Sequence, residues 1–118
     1  MEIETFKIFE RNNFIDNRGF LSELYSEKSF CKNIGKKVFF VQDNLVESIQ
    51  NSFRGLHYQI SPKSQGKFIS VMHGEIFDVI VDIRRESETF RQWGFVYLSA
   101  ENCKQLWVPE GFAHGFIS

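Results

Sequence analysis

Residues 75–84 constrain the fold of this chain more than any other stretch, because their hydrophobic side chains recur at every second position. Successive side chains of a strand point to opposite faces, so the stretch predicts a β-strand with one apolar face and one mixed face. The apolar face carries Phe77, Val79, Val81 and Ile83, and the mixed face carries Ile76, Asp78, Ile80 and Asp82. Two carboxylates on so apolar a strand need partners or water. The pattern leaves open whether their face is buried or exposed to solvent.

Short β-like runs separated by turn residues fill most of the remaining chain. The other predicted strands cover residues 5–9, 20–25, 38–41, 53–59, 66–72, 93–98 and 105–108. Aromatic residues make up 16% of the chain, 14 of them Phe, and such side chains favour strands over helix bundles. The one helix candidate is 27–34, with Ser26 as its N-cap and Gly35 as its C-terminal stop. We therefore predict an all-β sandwich or barrel with at most one short helix.

Turn residues predict how some of these strands connect. Residues 14–19 are expected to form a turn, in which Asp16-Asn17-Arg18-Gly19 supply the turn chemistry. Residues 61–64 are expected to form a loop, and His73-Gly74 is typical of a two-residue hairpin turn. That hairpin would pair strand 66–72 with strand 75–84. In this register Lys67 and Asp78 become diagonal neighbours on one face.

Size and charge narrow the class of protein. The chain has 118 residues and a net charge of −1, which fits one domain and argues against a nucleic-acid binder that relies on a basic surface. No segment has the apolar length to cross a membrane, and the amino terminus lacks the basic and apolar regions of a signal peptide. Cys31 and Cys103 stand far apart, and two free thiols in a reducing cytoplasm are favoured over a disulfide. We expect a cytoplasmic protein.

The histidines are the first candidates for chemistry. His73 lies in the predicted turn and is interpreted as a surface residue, and a lone histidine is more often structural than catalytic. His114, however, ends a Pro-x-Gly-x-x-His stretch typical of the second half-motif of the cupin superfamily. Metal-binding cupins carry His-x-His in the first half-motif, whereas this chain has His57-Tyr58-Gln59. Two imidazoles fall short of the three protein ligands of a catalytic metal, so we expect no metal and interpret His57 as a base.

Six further stretches recur together in one family. They are Asp16-x-Arg18-Gly19-x-x-x-Glu23, Phe40-Val41-Gln42-Asp43-Asn44, Arg54-Gly55-Leu56-His57-Tyr58-Gln59, Gln65-Gly66-Lys67, the strand from Gly74 to Arg84, and the run from Gln105 to Phe116. Each alone is weak, but they occur in the same order and span almost the whole chain. On these motifs the chain resembles the dTDP-4-dehydrorhamnose 3,5-epimerase family.

The resemblance implies a cupin-type jelly-roll barrel that works as a homodimer. The implied substrate is a dTDP-linked 4-keto-6-deoxy sugar, inverted at C3 and C5 on the way to dTDP-L-rhamnose. The C4 ketone acidifies both neighbouring C–H bonds, so no cofactor and no metal are implied. Proton removal gives an enolate, and proton return on the opposite face gives the epimer. The protein must supply a base, an acid on the other face and a positive group near the oxyanion.

The resemblance also implies roles for residues of this chain. His57 matches the family base, and Lys67 matches the lysine near the C4 oxygen. Asp78 would orient Lys67, an inference that rests on the predicted hairpin register. The residues that match substrate contacts are Arg18, Phe20, Glu23, Gln42, Asn44, Arg54 and His114. Guanidinium groups suit the diphosphate because their planar forks bind phosphate oxygens bidentately.

The chain departs from the family at its carboxyl end. Family members continue beyond Phe116. Their downstream part supplies a tyrosine that acts as the general acid and an aspartate that pairs with the catalytic histidine. Tyr25, Tyr58 and Tyr97 do not match that tyrosine. We therefore expect a single domain over 1–118 that is a C-terminally truncated form.

Three alternatives remain open. The first is a related dTDP-sugar 3-epimerase or 3,4-ketoisomerase on the same scaffold. The second, from another class, is a truncated and inactive nucleotide-sugar-binding or assembly module. The third, a metal-dependent cupin oxygenase, is disfavoured because His-x-His is missing.

Overall fold

A computed structural model describes residues 5–57 and 66–118 of the chain. In chain order its elements are β1 (Lys7–Glu10), β2 (Asn13–Asp16), β3 (Gly19–Ser22), α1 (Glu27–Ile34), β4 (Phe53–His57), β5 (Lys67–Ser70), β6 (Glu75–Asp82), β7 (Trp93–Ser99), β8 (Lys104–Val108) and β9 (Phe112–Ile117). The chain divides into a larger unit, Met1–Glu10 with Ile49–Ser118, and a smaller unit, Arg11–Ser48. The single domain predicted over 1–118 stays a prediction.

The larger unit consists of two antiparallel sheets with strand orders β1-β8-β5 and β4-β9-β6-β7. Apolar side chains from both sheets form one buried cluster. Its members are Val71, Ile80, Val96, Leu98, Leu106, Val108 and Phe112. Burying one such side chain stabilises a fold by about 1.5–3 kcal/mol, so this cluster sets which sheet faces point inward.

The mixed face of β6 is the inner face. Asp78, Ile80 and Asp82 are buried, whereas Phe77 and Val79 on the other face are only half-buried. This answers the question that the alternation leaves open. Asp82 tolerates burial because it accepts several hydrogen bonds from the loop that follows β6, whereas Asp78 contacts the His114 ring through one carboxylate oxygen.

The outer face of β6 and β7 is aromatic. Residues directly opposite each other in an antiparallel pair share a face, and Phe77 lies opposite Tyr97. The Phe77 ring centroid lies 5.0 Å from that of Tyr97 and 5.3 Å from that of Phe95. Trp93 continues the row toward the other end of β7. We call these four residues the outer aromatic face.

The predicted hairpin at His73-Gly74 is wrong. β5 pairs with β8, and β6 pairs with β7 and β9 in the other sheet. Lys67 and Asp78 are therefore not diagonal neighbours on adjacent strands. The physical reason is that β8 offers β5 the apolar inner residues Leu106 and Val108, while both edges of β6 are already occupied.

Other differences from the predictions are local. The buried strand expected at 38–41 is wrong, because these residues form no strand and Val41 is 92% exposed. The turn expected at 14–19 is shorter, since β2 extends to Asp16 and pairs with β3. β9 has no counterpart among the predicted strands. The loop predicted at 61–64 and the end of the strand predicted at 53–59 lie outside the described residues.

The helix predicted at 27–34 forms with these bounds. The Ser29 backbone N–H donates to Ser26 Oγ at 3.4 Å, which caps the amino end. Gly35 adopts the left-handed conformation with φ 78°, and its N–H donates to the Cys31 carbonyl at 2.9 Å. Phe30 is buried against the Tyr25 and Phe40 rings, which gives the smaller unit an aromatic cluster of its own. The all-β class with one short helix is confirmed.

Both cysteines are free thiols, as the sequence predicts. The Cys31 thiol lies 3.9 Å from the Val38 carbonyl oxygen, and the Cys103 thiol lies 3.9 Å from that of Ala100. Neither side chain is fully exposed. Within residues 5–57 and 66–118, no helix combines the length and apolar character that a bilayer crossing requires.

Candidate functional site

The central strand β9 brings four predicted site residues to one face of the four-stranded sheet. Arg54 lies opposite Phe116, which lies opposite Asp78, and His57 lies opposite His114. Since opposite residues of antiparallel strands share a face, all four side chains belong to the inner face that carries Ile80. This placement was not available from the sequence, because β9 was not among the predicted strands.

Asp78 and His114 form the most buried polar contact of this face. His114 Nδ1 lies 3.4 Å from Asp78 Oδ1, and the two side chains are 8% and 0% exposed. They are diagonal neighbours, because Asp78 lies opposite Phe116 and His114 lies two residues earlier. Within the described residues Asp78 Oδ2 has no hydrogen-bond partner. Asp78 therefore uses only one of its two carboxylate oxygens in the contact with His114.

Two glycines allow β4 to approach β9 closely beside this contact. A side chain on Gly115 would place its Cβ 2.8 Å from the Arg54 carbonyl oxygen and 3.0 Å from Gly55 Cα. Gly55 itself has φ 135°, which L side chains rarely adopt. The register of the β4–β9 pair shifts between Arg54 and His57 at this point. The glycines of Arg54-Gly55-Leu56-His57 and His114-Gly115-Phe116 thus bring His57 beside His114.

Lys67 reaches the interior from the other sheet. It lies opposite Val108 at the start of β5, and Val108 belongs to the buried cluster, so Lys67 is on the inner face of the three-stranded sheet. Its side chain is half-buried. Lys67 and Asp78 therefore occupy inner faces of different sheets, which corrects the prediction that they are diagonal neighbours on paired strands. The described hydrogen bond of Asp78 goes to His114 instead.

The smaller unit carries the other predicted substrate contacts, and all of them are exposed. They are Arg18, Phe20, Glu23, Gln42 and Asn44. Arg18 Nη2 donates to Asp16 Oδ2 at 2.7 Å, and this hydrogen bond lowers the pKa of the Asp16 carboxyl. Gln42 Nε2 donates to Asn44 Oδ1 at 3.1 Å. Their described contacts are local, so these polar groups remain accessible.

Asp82, the second acid of β6, serves a different purpose. Burial alone would raise the pKa of its carboxyl, but hydrogen bonds from Arg84, Thr89 and Ser87 hold that pKa well below its usual range. Arg84 Nη2 donates to Asp82 Oδ2 at 2.9 Å, and its guanidinium lies 4.6 Å from the Phe112 ring centroid. This network ties the loop after β6 to the sheet. We therefore assign Asp82 a structural role.

The inner faces thus present two imidazoles side by side, a carboxylate on one of them and an ammonium group from the opposite sheet. Such a set can take up and return protons and can stabilise a developing negative charge. Among the described ranges, no three His, Cys, Asp or Glu side chains come together as a possible metal site. The Asp78–His114 contact is the feature that the sequence reasoning missed. Recognising 112–117 as a strand would have been the signal.

Comparison with known proteins shows the family of this chain. The family model for dTDP-4-dehydrorhamnose 3,5-epimerase matches residues 1–118. The dTDP-4-dehydrorhamnose 3,5-epimerase of Shigella flexneri is 54% identical over 98% of this chain, which corresponds to 64% of that protein. The corresponding enzyme of Salmonella typhimurium is 55% identical over 94% of this chain and 61% of its own length. The chain therefore spans less than two thirds of the length of these relatives.

Solved structures agree. A dTDP-6-deoxy-D-glucose-3,5-epimerase from Legionella pneumophila, in complex with dTDP-4-keto-L-rhamnose, matches with a TM-score of 0.92 and 49% identity over 99% of this chain and 62% of that one. A 3'-monoepimerase from Streptomyces bikiniensis, in complex with dTDP-quinovose, matches with a TM-score of 0.91 and 30% identity over 100% of this chain and 60% of that one. These likenesses confirm the expected cupin-type fold.

Proposed function

Because the chain belongs to the dTDP-4-dehydrorhamnose 3,5-epimerase family, we propose that it epimerises a dTDP-linked 4-keto-6-deoxy sugar at C3 and C5. The reaction would be a step of dTDP-L-rhamnose biosynthesis. The observation that carries the proposal is the pairing of His57 with His114 on the inner face of the sheet, next to Asp78. Proton transfer next to a ketone needs titratable groups beside the substrate, and this face carries the exposed His57 imidazole beside the buried His114 imidazole.

In the proposed mechanism His57 removes the proton next to the C4 ketone. Imidazole suits this task because it accepts and releases protons near neutral pH. The Lys67 ammonium group would stabilise the enolate oxygen electrostatically. Its support is its position on the inner face of the three-stranded sheet. A donor on the opposite face of the sugar returns a proton to the carbon and completes the inversion. No residue of this chain is assigned that role, and no cofactor is proposed.

Substrate binding is assigned to the exposed polar groups. Arg18 and Arg54 would bind the diphosphate, because a guanidinium pairs with two phosphate oxygens at once. The other proposed substrate contacts are Phe20, Glu23, Gln42, Asn44 and His114. The exposure of Arg18 supports its role in diphosphate binding. Its described partner is Asp16, and an ion pair so exposed to water contributes little, so Arg18 can exchange it for a phosphate.

We also propose that the protein is a cytoplasmic homodimer. The outer aromatic face leaves Trp93 66%, Phe95 52% and Tyr97 53% exposed, and contiguous apolar surface of this kind is typical of protein interfaces. The free thiols Cys31 and Cys103 support a reducing compartment. Neither a nucleic-acid nor a membrane partner is proposed.

A second candidate function is epimerisation at C3 alone. The observation that favours it is the match to the Streptomyces bikiniensis 3'-monoepimerase, which has nearly the same TM-score as the match to the double epimerase. The two reactions share the first enolate and differ in whether C5 is processed. Their products are therefore the way to distinguish them.

The test is solvent exchange followed by NMR. Incubated with dTDP-4-keto-6-deoxyglucose in D₂O, the protein is expected to place deuterium at both C3 and C5. Deuterium at C3 alone would favour the monoepimerase, and dTDP binding without any exchange would replace the enzyme with a binding module.

A histidine pair supplies the matched control. His57→Ala is expected to slow exchange by about 10²- to 10⁴-fold, the usual contribution of a general base. His73→Ala, which changes an exposed histidine between β5 and β6, is expected to leave exchange unchanged. An unchanged rate in His57→Ala would show that another group is the base.

A further inference from the structure

Asp78 is bonded differently from the other buried acid of its strand. Asp82 uses both carboxylate oxygens, with Oδ1 accepting from Arg84 and Oδ2 accepting from Arg84, Ser87 and Thr89. Asp78 is equally buried, yet within the described residues only Oδ1 is engaged, and its partner is His114. A buried carboxylate that uses half of its acceptors costs stability. Its presence is therefore explained poorly by folding alone.

The contact itself selects one nitrogen of the imidazole. A carboxylate oxygen accepts hydrogen bonds, so the ring nitrogen 3.4 Å from Asp78 Oδ1 must carry a proton to donate one. In a neutral imidazole with Nδ1 protonated, Nε2 has a free lone pair. Histidines that bind metals are oriented in the same way by a carboxylate behind the ring.

We propose that Asp78 is a positioning residue that holds His114 in the Nδ1–H tautomer and so presents Nε2 as a hydrogen-bond acceptor beside His57. The register supports this arrangement, because His57 and His114 lie directly opposite each other on β4 and β9. The hydrogen bond described for His114 goes through Nδ1, and within the described residues none reaches Nε2, which leaves it available to a donor such as a sugar hydroxyl. The catalytic consequence rests on the proposed function, but the tautomer does not.

The tautomer is measured directly on the unmodified chain by two-bond ¹H–¹⁵N correlation spectra of the three histidines at about pH 8, above the range in which ordinary imidazoles are charged. For His114 we expect a protonated Nδ1 and an unprotonated Nε2. A protonated Nε2 with a bare Nδ1 would overturn the proposal. Protonation of both nitrogens would also overturn it, because no tautomer would then be selected.

Two matched variants test the cause. Asp78→Asn removes the carboxylate charge and offers Nδ1 both an amide oxygen and an amide N–H, so the exclusive Nδ1–H signature of His114 is expected to give way to a mixture of tautomers. Asp82→Asn changes the other buried acid of β6, which does not contact His114, and the signature is expected to persist. An unchanged His114 signature in folded Asp78→Asn would refute the role of Asp78. If Asp78→Asn does not fold, the spectrum of the unmodified chain decides the question.

Activity gives a separate readout. Where the unmodified protein exchanges deuterium into the keto sugar, Asp78→Asn is expected to slow exchange by about 10- to 100-fold, as loss of an orienting carboxylate does at metal-bound histidines. An unchanged exchange rate in a variant that has lost the tautomer would show that His114 is not positioned for this reaction. Absence of exchange in the unmodified protein would instead count against the proposed function and leave the tautomer result intact.

Discussion

Two Asp-x-Arg turns, one in each unit, make nearly the same hydrogen bonds in opposite surroundings. In the smaller unit the Arg18 backbone N–H donates to Asp16 Oδ1 at 2.8 Å, and its guanidinium donates to Oδ2 at 2.7 Å. In the larger unit the Arg84 backbone N–H donates to Asp82 Oδ1 at 2.9 Å, and its guanidinium donates to Oδ2 at 2.9 Å. The side chains of the first pair are 87% and 48% exposed, and those of the second are 26% and 1% exposed.

The difference shows that local sequence sets the hydrogen bonds of such a turn, whereas burial sets their energetic weight. An exposed ion pair competes with water and contributes little to stability. A buried carboxylate that loses its partners is left uncompensated, which is costly. The buried turn therefore suits a structural role, and the exposed turn keeps Arg18 available to bind an anion.

The largest expected effect is on stability. Asp82→Asn removes the charge that Arg84, Ser87 and Thr89 bond to, and we expect the free energy of unfolding to fall by about 3 kcal/mol. Asp16→Asn is the matched control, and its urea-unfolding midpoint is expected to stay within experimental error of that of the unmodified protein. Equal losses in the two variants would break the comparison.

The two turns should also differ in how much stability the protein loses when their aspartates are protonated at low pH. The pKa of Asp82 in the folded protein lies below the ordinary aspartate value of 3.8, so its stabilisation is present above that value and is lost as pH falls toward the folded pKa. Between about pH 5 and about pH 3, this group alone should remove about 1 kcal/mol from the free energy of unfolding. Thermal unfolding should show that loss in the unmodified protein and in Asp16→Asn, but not in Asp82→Asn. An identical acid dependence in all three proteins would assign the effect to other carboxylates.

Substitution of Arg18 is expected to have the smallest effect on stability but to weaken the binding of dTDP. Arg18→Ala should leave the unfolding midpoint unchanged, because the Arg18–Asp16 pair is exposed. It should weaken dTDP binding about 10-fold, since a hydrogen bond to a charged group is worth about 1.5–3 kcal/mol. Calorimetry measures the affinity, and Arg85→Ala, another exposed arginine, is the control. Equal affinities of Arg18→Ala and Arg85→Ala for dTDP would remove Arg18 from the proposed diphosphate site.

Local rules predicted the elements that depend on local contacts. Ser26 and Gly35 bound the helix at the residues expected, because caps bond within a few residues of themselves. The alternation of β6 predicted its two faces correctly. The alternation did not say which face is buried. That depends on packing against Leu106 of β8, which lies far from β6 in the sequence.

Pairing between strands that are distant in the sequence could not be predicted from local patterns. The His73-Gly74 turn residues suggested a hairpin, but β5 and β6 take partners from residues 93–117 that local turn chemistry does not encode. The sequence therefore predicted that Asp78 orients Lys67, whereas Asp78 contacts His114 in the structure. β9 was missed because Ala113 and Gly115 at its centre are residue types that are depleted in strands. The site residues carried over from the family stay predictions.

The outer aromatic face has a consequence for spectroscopy. The chain has two tryptophans, Trp93 on that face at 66% exposure and Trp107 on β8 at 3% exposure. Indole emission shifts to longer wavelength in water, so the two fluorophores differ in colour and in access to a dissolved quencher such as iodide. Excitation of a single sample therefore reports separately on the surface of one sheet through Trp93 and on the packing of the other through Trp107.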